Sequence, residues 1–191
     1  MEENFSPQQS LQLIESMIKK VRNDISYNRF YFLMWGWFAF FMILSQFFLK
    51  VVLNYPHHYL VWIITIPLVM VTMVKSNRQE RTAGHRSYIS DSMGYLWMGI
   101  GISFFVMIVV ISATIGWINA WPFFIIFYGM GTFISGMLLK FRPFVTGGIF
   151  NWILAIICAF LPYDYQLLTA AAAILTSYII PAYLLQPSKK Q

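Results

Sequence analysis

A chain of 191 residues that is 59% hydrophobic and 10% charged cannot hide its apolar side chains in a water-soluble fold, where about 25% of residues carry charge. The net charge of +6 does not indicate nucleic acid, because the basic residues are dispersed at the ends of apolar runs. The length suits one compact membrane domain without a separate globular one, and the single cysteine, Cys158, excludes an internal disulfide.

Residues 1–29 are too polar for a cleavable signal, whose apolar stretch follows closely on a short basic start. Ser6-Pro7-Gln8-Gln9 reads as a helix start: Ser6 caps, Pro7 suits the first turn, and Gln9 reaches back in a capping box. Leu11, Ile14, Ile18, Val21 and Ile25 then recur every three or four residues, while Glu15, Lys19, Arg22 and Asn23 fall elsewhere. This stripe predicts an amphipathic helix that rests on a leaflet or on the end of the bundle, or docks a protein partner.

Apolar runs follow at 30–50, 59–75, 93–116, 121–139, 144–161 and 166–186. Crossing a hydrocarbon layer of ~30 Å takes about 20 residues. The short connections at Ile118-Asn119-Ala120 and Pro162-Tyr163-Asp164-Tyr165 make neighbouring spans antiparallel. The expected fold is an all-α membrane protein with six transmembrane helices in three antiparallel hairpins, preceded by a cytoplasmic amphipathic helix. The divisions are a 1–29 arm, a 30–186 membrane domain and a 187–191 tail.

Lysine and arginine orient it. Lys19, Lys20, Arg22 and Arg29 fall in the arm and Lys75, Arg78, Arg81 and Arg86 in the second connection. Lys140 and Arg142 follow in the fourth, and Lys189 and Lys190 in the tail, leaving only Lys50 for the other side. The positive-inside rule then predicts a multi-pass membrane protein with both termini cytoplasmic. Arg78, Arg81 and Arg86 are expected to meet anionic lipid headgroups or an acidic partner.

Trp35 and Trp37 near one interface, and Trp62, Trp117 and Trp121 near the other, form the usual aromatic belt. Small residues four apart (Gly99 and Ser103, Thr132 and Gly136, Ala155 and Ala159, Ala173 and Ser177) suit close helix contacts. Leu33-Met34-Trp35-Gly36, Leu96-Trp97-Met98-Gly99 and Gly147-Gly148 give the hairpins a shared texture, which is weak evidence of a parallel repeat. Pro67 and Pro181 are expected to interrupt the second and sixth spans, whereas Pro122 simply starts a helix.

No ionisable residue falls in the middle of a span, which argues against proton-coupled transport. His57 and His58, even with Asp164 nearby, read as interfacial residues rather than metal ligands. The spans lack a buried Ser–His pair, paired aspartates, a phosphate loop and a paired-cysteine motif, so neither an enzyme nor a bound cofactor is expected. The neutral polar groups at depth are Asn151 and Trp152, with Thr132 and Ser103 as further candidates to line a ligand pocket. An amide at that depth more often ties two helices together. Gln46, Thr65 and Asn119 add hydrogen-bonding groups.

Several strings together resemble a family of small bacterial inner-membrane proteins with an amphipathic N-terminal helix and six spans. They are Trp35-Gly36-Trp37, Tyr128-Gly129-Met130-Gly131-Thr132-Phe133 with Gly136, Lys140-Phe141-Arg142-Pro143, Gly147-Gly148, Asn151-Trp152, and Ser177-Tyr178-Ile179-Ile180-Pro181. The resemblance implies location and architecture, with no activity or site residue to carry over. The chain is also similar in size and span number to membrane substrate-binding subunits of vitamin uptake transporters. Their Ala-x-x-x-Ala pattern is absent from the first span, which has Gly36-Trp37-Phe38-Ala39.

Two functions follow as expectations. The first is a non-enzymatic membrane protein, regulatory or scaffolding, that engages a protein partner through its cytoplasmic face. Its arm stripe would make the contact. The second is a carrier, or a transporter's binding subunit, for a small neutral solute near Asn151 and Trp152. Membrane lipid is a partner in either case, nucleic acid in neither, and self-association is compatible with both.

Overall fold

All regular structure among the described residues is helical. The structure, a computed structural model, describes residues 29–83 and 88–185, with 76–83, 88 and 115 described by backbone alone. Helix α1, Arg29–Val52, closes in a wider π-helical turn, Phe48–Val52. A 3-10 stretch, His58–Ile64, leads into α2, Thr65–Ala83. Then come α3, Tyr88–Val110, with a π-helical end Ile111–Ile115, α4, Trp121–Leu138, and α5, Arg142–Ala159. The last, α6, spans Tyr163–Leu184 and is π-helical over Leu175–Ile179. Six helices are thus long and apolar enough to cross a membrane. The amphipathic stripe from Leu11 to Ile25 lies outside the described residues.

Apolar burial drives little association in lipid, where helices join by close packing and interhelical hydrogen bonds. The α4–α5 contact shows how close packing can become. A Cβ added to Gly148 would stand 2.6 Å from Phe133 Cβ and 2.8 Å from the Gly129 carbonyl oxygen. One added to Gly136 would meet the Val145 nitrogen at 2.6 Å. Glycine on both helices lets the two backbones touch. Thr132, Gly136, Ala155, Ala173 and Ser177 are buried as the small-residue spacing predicts, but Ala159, which is exposed, and Gly99 and Ser103 differ. Gly99 meets nothing within 4 Å, and Ser103 bonds back to the Gly99 carbonyl at 2.9 Å. The Gly99 side of α3 faces outward, because the Trp97 and Ile100 side packs on Gly131 of α4.

The α4–α5 turn needs one residue in the left-handed region, and Lys140 occupies it with φ 51°. The turn closes with Phe141 N–H donating to the Gly136 carbonyl at 2.8 Å, and Pro143 lies in the first turn of α5. A side chain in that backbone region costs about 1–2 kcal/mol. Lys140→Gly is therefore expected to raise stability by about 1 kcal/mol, measured by thermal unfolding in nanodiscs.

Two of the expected boundaries shift. The second connection, predicted from the charges after residue 75, is helical as far as Ala83. Apolarity ends at Val74, but arginine, lysine, glutamine and glutamate sustain a helix in water equally well. Pro67 does not break α2. It falls in the first α-helical turn after the 3-10 stretch, where a missing N–H is tolerated. Pro181 likewise lies in the first turn of an α-helical segment, Ile180–Leu184, directly after the π-helical stretch, and having no N–H it cannot donate to the Ser177 carbonyl. That oxygen lies against Gly147, where an added Cβ would come within 2.5 Å of it.

The bundle has two chemically different ends. Arg29, Lys75, Lys140 and Arg142 lie at one, here the Arg142 end; Lys75 Nζ sits 4.5 Å over the Phe30 ring. Near it, rings from five helices fill the interior. Phe32 of α1, Trp97 of α3, Tyr128 of α4, Phe144 of α5 and Tyr178 of α6 are linked by centroid distances of 4.7 Å (Phe32–Phe144), 5.2 Å (Phe32–Tyr178 and Tyr128–Tyr178) and 5.5 Å (Trp97–Tyr178). Such pairs stabilise by roughly 0.5–1.5 kcal/mol each beyond their burial. The opposite end carries Gln46.

Candidate functional site

Asn151, the polar group at depth, is 1% exposed and its Oδ1 lies 2.8 Å from Ser177 Oγ on the π-helical part of α6. Ser177 has one hydroxyl proton and a second acceptor at hand, the Ala173 carbonyl. With the amide turned over, Nδ2 donates to Ser177 and the hydroxyl donates to Ala173, while the other amide atom has no hydrogen-bond partner among the described residues. Asn151 thus ties α5 to α6.

The other predicted lining residues do not converge on it. Trp152 is half-buried on a different side of α5, donating to the Ile126 carbonyl at 3.3 Å, with its ring 5.3 Å from Phe133. Thr132 is fully buried in α4 and donates to the Tyr128 carbonyl at 2.8 Å. Ser103 is half-buried on α3 and donates to the Gly99 carbonyl of its own helix. Leu11, Ile14, Ile18, Val21, Ile25 and Arg86 are outside the described residues, and Arg78 and Arg81 are described by backbone alone, on the polar extension of α2.

The denser polar assembly is at the Gln46 end. Gln46, 3% exposed, projects from the last turns of α1. Its Oε1 accepts from Trp62 Nε1 at 2.6 Å, and its Nε2 lies 3.1 Å from Tyr163 Oη and 3.2 Å from His58 Nδ1. One amide therefore holds the 3-10 stretch that leads into α2, and the start of α6, against α1. One turn further along α1, Lys50 forms an ion pair with Asp164 and lies 4.4 Å over the Tyr163 ring. Both charges are partly exposed, so the pair contributes at most about 1 kcal/mol. Beside it, Lys50, Asn54, Tyr55, His58 and Asp164 border an open cleft of about 380 Å³.

A second amide, Gln166, is fully buried in the first turn of α6. Its Nε2 donates to Asn119 Oδ1 at 3.1 Å and to the Leu161 carbonyl at 2.9 Å, fastening the α3–α4 connection to the α5–α6 connection. Gln46 and Asn119 stand out in the sequence as polar groups, but nothing in it marks Gln166. A glutamine at a helix start is ordinary, and its partner is 47 residues away. Among the described residues, no three His, Cys, Asp or Glu side chains are grouped to hold a metal ion.

Six helices long and apolar enough to cross a membrane, joined in this way, make a helical bundle whose composition suggests a multi-pass membrane protein. Comparison with protein families, with curated proteins and with solved structures found no match.

Proposed function

We propose that the chain is a bacterial inner-membrane protein without catalytic chemistry that engages a protein partner through its cytoplasmic face, as a regulator or scaffold. The observation that carries this reading is the separation of charge. Among the described residues Arg29, Lys75, Lys140 and Arg142 share one end, while Lys50 at the other is matched by Asp164. That separation supports a cytoplasmic Arg142 end, hence both termini inside. The three antiparallel hairpins are supported by Gln46–Trp62 with Phe30–Lys75, by Trp97–Ser135 with Phe104–Tyr128, and by Asn151–Ser177 with Cys158–Gln166.

The solute-carrier reading draws less support. Asn151 is engaged with Ser177, Thr132 and Ser103 each with its own helix, and Trp152 with the Ile126 carbonyl. The partner reading is tested by deleting residues 1–27, cross-linking in cells and identifying what co-purifies. The truncated protein is expected to insert normally and to lose its cross-linked partner. Retention of the same partner would remove the arm from the interface. Orientation is read separately, by an impermeant thiol reagent on intact cells. Cysteine placed at 80 or 189 is expected to stay unlabelled.

A further inference from the structure

The Gln46 junction has a fixed polarity. Trp62 Nε1 carries a proton and no acceptor lone pair, so the Gln46 atom 2.6 Å away must be the carbonyl oxygen. The amide nitrogen is thereby turned to Tyr163 Oη and His58 Nδ1. An amide N–H only donates, so Nδ1 must be bare, with the imidazole neutral and its proton on Nε2. A proton on Nδ1 would set two donors against each other.

Among the described residues, this junction supplies side-chain hydrogen bonds that fasten the segment leading into α2. No residue of its apolar stretch, His58–Lys75, is buried in the bundle. Beyond the Gln46 bonds, its described side-chain contacts include the Trp62 and Trp121 rings at 6.1 Å and Lys75 over Phe30. The charged and titratable groups around His58 are Lys50 from α1, Asp164 and Tyr163 from α6, and Tyr55, His57 and Tyr59 from its own segment. Asp164 is already paired with Lys50, which leaves little net negative charge to welcome an imidazolium.

We propose that protonation of His58 frees the 3-10 stretch leading into α2 from α1 and α6, making the Gln46 junction an acid-released latch. The hold needs the neutral imidazole. Burial and the Lys50 charge keep the folded His58 below the free-histidine value of about 6.5, so the hold is complete above that value and is lost as pH falls through the lowered one. This does not depend on which compartment the Gln46 end faces.

Hydrogen exchange of residues 58–70, in the full-length protein in phosphatidylcholine nanodiscs, tests it at pH 7.5 and 5.5 after correction for intrinsic rates. Protection in the wild type is expected to fall on the order of tenfold on acidification, the scale of one donor left unsatisfied. His58→Asn keeps a carbonyl acceptor for Gln46 but cannot titrate, so its corrected protection is expected to match at both pH values. Gln46→Glu supplies a carboxylate that accepts from Trp62 and from protonated His58, and its protection is expected to rise on acidification. Unchanged wild-type protection would overturn the latch. So would a wild-type response persisting in His58→Asn, which would remove His58 as its source. If Gln46→Glu fails to insert, His58→Asn against wild type decides alone.

Discussion

Gly148→Ala is expected to destabilise the protein by about 3 kcal/mol, at the upper end of what overpacking ordinarily costs. The new methyl would lie 2.6–2.8 Å from Phe133 Cβ, the Phe133 nitrogen and the Gly129 carbonyl. Two of these three are backbone atoms that no rotamer change can withdraw, so α4 and α5 must separate along their contact. Relief of that kind also displaces Asn151, whose Cβ abuts Gly129. The measurement is reversible unfolding in mixed micelles, with Gly101→Ala as the control. Gly101 meets nothing within 4 Å, and alanine inside a helix is favoured over glycine by roughly 0.5–1 kcal/mol, so the control should unfold slightly later than wild type. Equal behaviour of the two variants would show that the α4–α5 contact is looser than described.

Gln46→Leu is expected to cost roughly 2 kcal/mol and to act far from the substituted helix. Leucine matches glutamine closely in size and suits a membrane span, so the loss is one of hydrogen bonding. It strands the Trp62 indole N–H, and removes the partner of His58 and Tyr163. Interhelical bonds in membranes average about 0.6 kcal/mol, and a buried donor left unsatisfied costs about 1–3 kcal/mol. Cysteine cross-linking between the ends of α1 and α2 should become slower, while cross-linking between α4 and α5 should be unaffected. A uniform change across the bundle would contradict the local role assigned to this amide.

The six spans were legible because hydropathy reports transfer into lipid directly, and each run has nearly the length a bilayer demands. Their limits were less legible where helix and apolarity part company. Hydropathy ends at Val74, yet the helix runs on to Ala83, since leaving the bilayer does not oblige a chain of good helix formers to unwind. Spacing identified the small residues but not their side. Gly99 and Ser103 have the same interval as Ala173 and Ser177, and only the path of α3 past α4 turns Gly99 outward. Asn151 was readable as a tie because an amide at depth must find a partner, although Ser177 as that partner depends on the π-helical turn that sets its direction. The Gln46 junction was the least legible. It is assembled from three separate segments of the chain, and its contacts reach 117 residues apart.

The helical continuation of α2 changes what its basic residues can reach. On a slack loop, Lys75, Arg78 and Arg81 would all settle among the phosphates. On a rod rising about 1.5 Å per residue, the Cα of Arg81 stands about 9 Å beyond that of Lys75, close to one screening length at physiological salt. Backbone positions 75, 78 and 81 are therefore spaced along one rod, at graded distances from the end of the apolar stretch, and under the proposed partner reading they would not all meet the same layer.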